Sequence, residues 1–287
     1  MPKSRIGVIG GSGLYAMAAL ENVSEEVVET PFGAPSDAFI LGSLGDREMV
    51  FLPRHGRGHR IPPSAINFRA NLYGMKLLGV EWVISVSAVG SMREDIHPGD
   101  VIIPDQFFDR TRARASTFFD TDVVAHIAFA DPVCGPMTKV LEKAATAAGA
   151  TVHPTGTYLC IEGPQFSTRA ESQIYRQWGV DVIGMTNLPE ARLAREAELC
   201  YATVALCTDY DCWHDSASDV DIGAILEVLR RNVQLAQDII ARTVPALQGE
   251  RACQCSTALQ YALITDPAMI PADARERLGL LVGPYLS

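Results

Sequence analysis

Two acidic residues, Asp209 and Asp211, follow an apolar run, Tyr201–Cys207, and no lysine or arginine lies within ten residues of Asp209. A carboxyl group that is partly desolvated and close to another carboxyl has a raised pKa, so it can hold a proton near neutral pH. It then donates one hydrogen bond and accepts another, which matches N7 and the 6-amino group of adenine. The pair therefore indicates recognition of a purine base. In the alternative, one acid caps the next element and the other is solvated.

A basic cluster, RHGRGHR at residues 54–60, follows the apolar residues Val50–Leu52. Arg54 could hold phosphate through two charge-assisted hydrogen bonds, each worth about 1.5–3 kcal/mol. His55 and His59 could donate beside it. A solvated basic loop is the alternative. Because the cluster begins where a strand would leave the core, an anion site is the favoured interpretation.

The glycine-rich turn Gly10–Gly13 follows an apolar, strand-like run. Its backbone N–H groups and the Ser12 hydroxyl could bind an anion. Residues 11–16 also fit the dinucleotide fingerprint G-x-G-x-x-A, but prolines stand about 20 residues later, where that motif needs an acid after a second strand. A tight turn without a ligand is the third interpretation.

The seven cysteines are mostly scattered in apolar surroundings, which is typical of small core residues. Cys253 and Cys255 form a C-x-C pair that could be a redox pair, half of a metal site or incidental. No C-x-x-C or H-x-x-x-H motif lies near the pair in the sequence. It is interpreted as structural or peripheral, and no metal site is expected.

The chain has 287 residues, about half of them hydrophobic, which suffices for one large domain or two small ones. Its net charge of −10 argues against a nucleic-acid scaffold, because phosphate backbones select for clustered lysine and arginine. No apolar stretch approaches the length of a membrane span, and no signal sequence opens the chain. A cytoplasmic protein is therefore expected.

Apolar strand-like runs alternate with helical patterns along the chain, which indicates a parallel sheet covered on both faces. Ligands in such sheets bind beyond the carboxyl ends of the strands, where polar or glycine-rich stretches occur here. The expected strands are Arg5–Ile9, Val80–Val86, Val180–Met185 and Tyr201–Cys207. Predicted helices begin after Ser64 (with Ile66, Ala70, Tyr73 and Leu77 buried), at the capping box of Thr168 and Glu171, at Pro189 and at Ile222.

Seven motifs in order resemble the purine nucleoside phosphorylase family, in particular its branch that acts on methylthioadenosine. They are GGSGL, LPRHGRGHR, SAVGSMREDIHPGD, DQFFDRT, IEGPQFSTRAES, GMTNLPEA and ATVALCTDYDCW. The resemblance covers about residues 5–245. It implies an α/β fold: a single domain with a central mixed, largely parallel β-sheet flanked by helices. The catalytic domain is expected at residues 1–249, and 250–287 would be a C-terminal helical extension of it.

The resemblance also implies an activity. Inorganic phosphate would displace adenine from S-methyl-5′-thioadenosine, giving 5-methylthioribose 1-phosphate, as in purine and methionine salvage. Phosphate would be a co-substrate, with no organic cofactor and no metal. The expected assembly is a homotrimer without membrane or nucleic-acid partners.

Site residues follow from the matching motifs. The phosphate-binding set would be Ser12, Arg54, His55, Ser87, Ala88 and Thr186. Asp209 would face the base as general acid with support from Asp211. The remaining substrate-binding set would be Met185 under the ribose, Phe166 against the base, Ser167 nearby, Ile161, His59, Ile222 near the methylthio group, and His126 reaching a neighbouring subunit's site.

One departure and several alternatives stand beside this interpretation. Gln165 occupies a position where many relatives have arginine. The near alternative is a broader or 6-oxopurine nucleoside phosphorylase that acts on 5′-deoxyadenosine, adenosine or methylthioinosine. The paired acids disfavour a base with a 6-carbonyl group. An NAD-dependent oxidoreductase using the glycine-rich turn and a non-catalytic nucleotide-binding module are the alternatives from other classes.

Overall fold

The computed structural model describes residues 5–11, 13–14, 16–214 and 222–286, and for residues 222–230 it describes the backbone alone. The strands are β1 (Arg5–Gly10), β2 (Glu21–Glu26), β3 (Phe39–Leu44), β4 (Arg47–Pro53), β5 (Val80–Ser91), β6 (Val101–Ile102), β7 (Gln106–Arg110), β8 (Val152–His153), β9 (Thr157–Ile161), β10 (Val182–Gly184) and β11 (Cys200–Asp209). The α-helices are α1 (Phe68–Leu77), α2 (Gly135–Ala147), α3 (Arg169–Gln177), α4 (Asn187–Glu196), α5 (Ile222–Thr243) and α6 (Ala272–Val282).

All of these strands belong to one sheet. The main path runs β2-β3-β4-β1-β5-β10-β9-β7, while β11 pairs with β5 and β6, and β6 pairs with β8. Parallel pairing joins β1 to β4 and β5, β11 to β5, and β9 to β7 and β10. The β2, β3 and β4 strands pair antiparallel. The predicted mixed, largely parallel sheet is confirmed.

Buried side chains alternate along the strands between two hydrophobic cores. In β4, Val50 and Leu52 join the core that also contains side chains of α1, α4 and α6. Met49 and Phe51 join the core that contains side chains of α2 and α5. Both faces of the central strands are therefore covered by helices, as the continuous apolar runs predicted.

Strand β5 is longer than predicted, because its pairing partner β11 continues alongside it as far as Gly90. The residues after the predicted end of the strand at Val86, up to Ser91, are therefore also strand. On the other edge of β5, pairing with β1 extends to Ser85, and pairing with β10 begins at Gly90. Residues 86–89 thus have a strand neighbour on one edge only, which opens a gap within the plane of the sheet.

The start of helix α1 was predicted wrongly. Ser64 lies in a short 3₁₀ turn, and the side chain of Asn67 caps the helix by accepting a hydrogen bond from the Ala70 N–H at 3.1 Å. Leu77, expected on the buried face, is half exposed at the end of the helix.

Other boundaries moved by a few residues. Strand β10 is confined to Val182–Gly184, helix α4 begins before Pro189 at Asn187, and β11 extends to include Asp209. The capping box of Thr168 and Glu171 is confirmed.

The C-terminal segment packs into the same hydrophobic core as the sheet, through Leu259 and Leu278. The division of the domain at residue 249 stays a prediction. Among the described helices, none has the length and apolarity needed to cross a membrane.

Candidate active site

A cavity of about 470 Å³ lies where β1, β5, β9, β10 and β11 end. Its size falls within the range of roughly 300–1,000 Å³ that is typical of small-molecule sites. Twelve of the predicted site residues line it: Arg54, His55, His59, Ser87, Ala88, Ile161, Phe166, Ser167, Met185, Thr186, Asp209 and Asp211.

Three predicted site residues are not among those lining the cavity. Ser12 lies outside the described residues, and Ile222 begins helix α5 with an undescribed side chain. His126 lies elsewhere, where its backbone N–H donates to the carbonyl of Ala262 at 2.8 Å.

The dinucleotide interpretation of the glycine-rich turn is wrong. That motif requires a helix to open directly after the glycines. The described residues between β1 and β2 form turns instead, and β2 then pairs antiparallel with β3. Gly11 and Gly13 nevertheless line the cavity.

Arg54 is buried at the floor of the cavity and is held by Glu190 of helix α4. Its Nε donates to Glu190 Oε1, and its Nη2 donates to Glu190 Oε2 at 3.0 Å. Nη1 donates to the carbonyl of Val86 at 3.0 Å, and Nη2 also contacts Ser85 Oγ at 2.7 Å. Burial opposes the charge on Arg54, but the pairing with Glu190 leaves its pKa raised. The two-pronged contact expected with phosphate is thus made with a carboxylate that the sequence analysis missed.

The other arginines of the basic cluster contact acids outside the cavity. Arg57 donates to Glu25 at 2.7 Å and to Asp37 at 3.0 Å, and Arg60 lies 3.7 Å from Asp37. The basic cluster is therefore divided into two groups. Arg54 and the two histidines line the cavity, whereas Arg57 and Arg60 form ion pairs outside it.

Polar groups converge at the end of the cavity formed by the sheet gap and helix α4. Ser87 is buried in β5, with its Oγ 3.3 Å from the hydroxyl of Tyr158. Thr186 immediately precedes α4, whose first-turn N–H groups have no partners within the helix. The positive end of the helix dipole and these hydroxyls form a neutral site that suits a phosphate group.

His55 is a neutral hydrogen-bonding group in this cavity. Its Nδ1 lies 2.9 Å from the carbonyl of Ile61, so Nδ1 carries the proton and Nε2 is an acceptor. The ring stacks on His59 with centroids 4.3 Å apart. Burial, followed by repulsion from Arg54, lowers the pKa of His55 to about 4.

Asp209 is held in a fixed orientation at the opposite end. Thr208 Oγ1 lies 2.7 Å from Asp209 Oδ2, and the Asp211 N–H donates to Asp209 Oδ1 at 2.8 Å. Burial raises the pKa of Asp209, and these two hydrogen bonds only partly oppose it. The raised pKa was expected in part from the neighbouring carboxylate, but burial is the main cause.

Asp211 supports Asp209 from behind. It adopts a left-handed backbone conformation, with φ at +52°, and its Oδ2 accepts a hydrogen bond from Ser172 Oγ at 2.5 Å. Burial raises its pKa, Ser172 opposes the rise, and repulsion from Asp209 adds to it. Each aspartate is thus oriented by a separate hydroxyl.

Apolar side chains and one unsatisfied hydroxyl complete the walls. Phe166, Met185 and Val233 line the cavity. The Ser167 hydroxyl is buried and has no hydrogen-bond partner among the described residues. A buried hydroxyl without a partner is costly, so Ser167 is available to a polar ligand.

Arg114 is a further residue that sequence analysis did not identify. Its Nη1 donates to the carbonyl of Met185 at 2.5 Å, and its Nε donates to Glu162 Oε1 at 3.0 Å. It thereby fixes Met185 relative to the end of β9. Glu190 and Arg114 both act through contacts between distant parts of the chain, so no local motif could reveal them.

Comparisons with known proteins bear on the identity of the chain. A family model described as the phosphorylase superfamily matches residues 5–245. An S-methyl-5′-thioadenosine phosphorylase from Geobacter sulfurreducens is 62% identical over 282 residues, covering 98% of this chain and 99% of the relative. One from Hyperthermus butylicus is 51% identical over 266 residues, covering 91% and 96%.

Solved structures show the same fold. A methylthioadenosine phosphorylase from an antarctic soil metagenomic library matches with a TM-score of 0.92 at 46% identity, covering 98% of this chain and 99% of that one. A mutant adenosine/methylthioadenosine phosphorylase from Schistosoma mansoni, in complex with methylthioadenosine, matches with a TM-score of 0.83 at 36% identity, covering 93% and 97%. The chain therefore belongs to the phosphorylase superfamily, among relatives that are S-methyl-5′-thioadenosine phosphorylases.

Proposed function

We propose that this protein catalyses the phosphorolysis of S-methyl-5′-thioadenosine, in which inorganic phosphate displaces adenine and forms 5-methylthioribose 1-phosphate. The proposal rests on one observation, which is that a single cavity has two chemically different ends. One end has a buried, oriented carboxyl group, Asp209, and the other has the N-terminus of α4 beside buried hydroxyls.

At the base end, Asp209 acts as general acid. Cleavage of the bond between C1′ and N9 leaves negative charge on adenine, and a proton given to N7 neutralises it. The second oxygen of Asp209 accepts a hydrogen bond from the 6-amino group. Asp209 is deprotonated in the process and regains a proton before the next turnover.

At the phosphate end, neutral donors hold the nucleophile below the sugar. Ser87, Thr186 and the first turn of α4 supply these donors, while Arg54 is balanced by Glu190. Phosphate remains negative as positive charge develops at C1′, so the two charges attract most strongly in the transition state. The Nε2 atom of His55 accepts a hydrogen bond from a protonated phosphate oxygen.

Several finer features belong to the same proposal. The enzyme works as a cytoplasmic homotrimer in purine and methionine salvage, with phosphate as co-substrate and with neither an organic cofactor nor a catalytic metal. His126 contributes to a neighbouring subunit's site, and Ile222 lies near the methylthio group. The relatives' names support the salvage role. The sequence resemblance supports the homotrimer, and sedimentation equilibrium would test it.

Substrate profiling with and without phosphate tests the reaction. Methylthioadenosine, adenosine, 5′-deoxyadenosine and inosine are each incubated with the enzyme, and the free base and the pentose phosphate are quantified. The proposal predicts adenine and pentose phosphate in equal amounts, formed only when phosphate is present, and fastest from methylthioadenosine. Adenine release without phosphate would instead identify a hydrolase, and a preference for inosine would identify a 6-oxopurine phosphorylase.

A further inference from the structure

Four cysteines that are distant in the sequence come together away from the cavity. The sulfur atoms of Cys134, Cys200, Cys253 and Cys255 all lie within 4.8 Å of one another. The distance between the sulfur atoms of Cys200 and Cys253 is 3.3 Å. All four thiols are free. The C-x-C pair thus has the two additional ligands that its sequence context did not reveal.

These distances suit a single tetrahedral metal ion. Zinc binds thiolate sulfur at about 2.3 Å, which places tetrahedrally arranged sulfurs about 3.8 Å apart. The cluster needs only small side-chain adjustments to reach that geometry. Four soft sulfur donors without oxygen or nitrogen ligands favour zinc over magnesium, calcium or manganese.

The cluster is built into rigid parts of the fold. Cys134 directly precedes α2, Cys200 is the first residue of β11, and the Cys134 N–H donates to the carbonyl of Tyr201 at 2.9 Å. Cys253 and Cys255 lie at the start of a 3₁₀ turn in the C-terminal segment. Two of the proposed ligands are therefore positioned by the sheet and helix α2, and the C-terminal segment supplies the other two.

Burial and the local dipole suit a closed structural site. Cys134, Cys200 and Cys255 belong to the hydrophobic core covered by α2 and α5, and Cys253 packs against it. Water and competing ligands are thereby excluded. Cys134 also lies directly before the 13-residue helix α2, whose N-terminal end is the positive end of the helix dipole.

We propose that these four cysteines bind one zinc ion as a closed tetrathiolate site that fastens the C-terminal segment to the start of β11 and α2. The site is structural and is separate from the catalytic cavity. The other three cysteines do not take part.

The first test is the metal content of the purified, full-length protein. We expect about one zinc ion per chain in the wild type, and less than about a tenth of that amount in Cys253→Ser and Cys255→Ser, because metal binding is strongly coupled to a complete ligand set. Cys212→Ser, which changes a thiol outside the cluster, is the matched control and should keep its zinc. Zinc content that is unchanged in both cluster variants would overturn the proposal.

A second measurement does not depend on variants. Wild-type protein from which metal has been removed under reducing conditions is titrated with Co²⁺. A tetrathiolate site predicts one equivalent of bound Co²⁺, with sulfur-to-cobalt charge-transfer bands and the visible bands of tetrahedral geometry, and zinc should displace it. Cobalt spectra without sulfur charge transfer would overturn the proposal, as would the absence of binding.

A third experiment tests whether the cysteines of the cluster are instead oxidised to disulfides. The protein as purified is unfolded with a chelator and without reductant, and its free thiols are then alkylated. All seven cysteines should be alkylated if the cluster holds a metal ion. Three alkylated cysteines and two disulfides would show that the cluster is an oxidised cross-link, which would overturn the proposal.

Discussion

The guanidinium group of Arg54 and the carboxylate of Glu190 form a two-pronged ion pair that is almost completely inaccessible to solvent, with exposed fractions of 3% and 1%. Arg54 follows β4, and Glu190 lies in α4, which begins at the polar end of the cavity. The pair therefore links the floor of the cavity to the helix that is proposed to bind phosphate.

We expect Glu190→Gln to destabilise the protein strongly. Removing one charge of a buried pair leaves the other uncompensated, which costs about 3–5 kcal/mol. Urea unfolding measures the change, and Glu48→Gln, which breaks the surface pair with Arg5, is the control. The control should change the unfolding free energy by less than about 1 kcal/mol. Equal effects in the two variants would contradict the buried pairing.

Asp209→Asn is expected to lower kcat/KM for methylthioadenosine by about 10²–10⁴, because an amide keeps the shape but cannot deliver a proton. Steady-state kinetics at saturating phosphate measures this loss. A nucleoside whose base leaves without protonation should recover most of the rate in the variant. Asp238→Asn, on the exposed side of α5, serves as the control. Undiminished turnover in Asp209→Asn would remove Asp209 from the mechanism.

Ser167→Ala should separate stability from binding. The Ser167 hydroxyl is buried without a partner among the described residues, so its removal is expected to stabilise the ligand-free protein by about 1 kcal/mol. The same change should raise KM for the nucleoside, because the ligand loses a hydrogen-bond partner. Thermal unfolding of the ligand-free protein measures the first effect, and steady-state kinetics with the nucleoside measures the second. A variant that is less stable without ligand would contradict the unsatisfied state of this hydroxyl.

Gly90→Ala tests how tightly Asp209 is positioned. A Cβ atom at Gly90 would lie 3.0 Å from Asp209 Oδ1 and 3.1 Å from Ile183 Cγ2. We expect a loss of about tenfold or more in kcat/KM, since small displacements of a catalytic group are costly. Gly279→Ala in α6, where a Cβ would meet no atom within 4 Å, is the matched control and should keep full activity.

Glu196 predicts a pH dependence of stability outside the active site. Burial raises its pKa from 4.5 to about 7, although the Phe118 N–H and Thr117 Oγ1 each donate to it at 2.7 Å. The unfolded chain releases this proton at lower pH than the folded chain, so stability falls as pH rises from 4.5 to 7. The expected loss is about 3 kcal/mol.

The variant Glu196→Gln should lack this loss. His55 has the opposite effect between pH 4 and 6.5, because its folded pKa is lowered and its contribution to stability rises with pH. The measured quantity is therefore the difference in unfolding free energy between the variant and the wild type, in which the effect of His55 cancels. A difference that does not change with pH would contradict the raised pKa of Glu196.

Local patterns were sufficient for part of this fold. The capping box at Thr168 and the apolar runs of β1 and β11 depend on neighbouring residues, and they were predicted correctly. The length of β5 was missed because it depends on pairing with β11, more than a hundred residues away. Likewise, the role of Glu190 depends on a tertiary contact with Arg54, and the C-x-C pair alone did not reveal that Cys134 and Cys200 lie beside it.

The gap beside residues 86–89 bears on how specificity could diversify. Main-chain groups of the strand have no partner among the described strands along this edge, and they are the same whatever side chains the strand carries. The side chains of Val86 and Val89 are buried in separate hydrophobic clusters, so a mutational scan should find these two positions sensitive through packing. Selectivity would then be set by the surrounding walls, so new substrates could be accommodated without rebuilding the reaction centre.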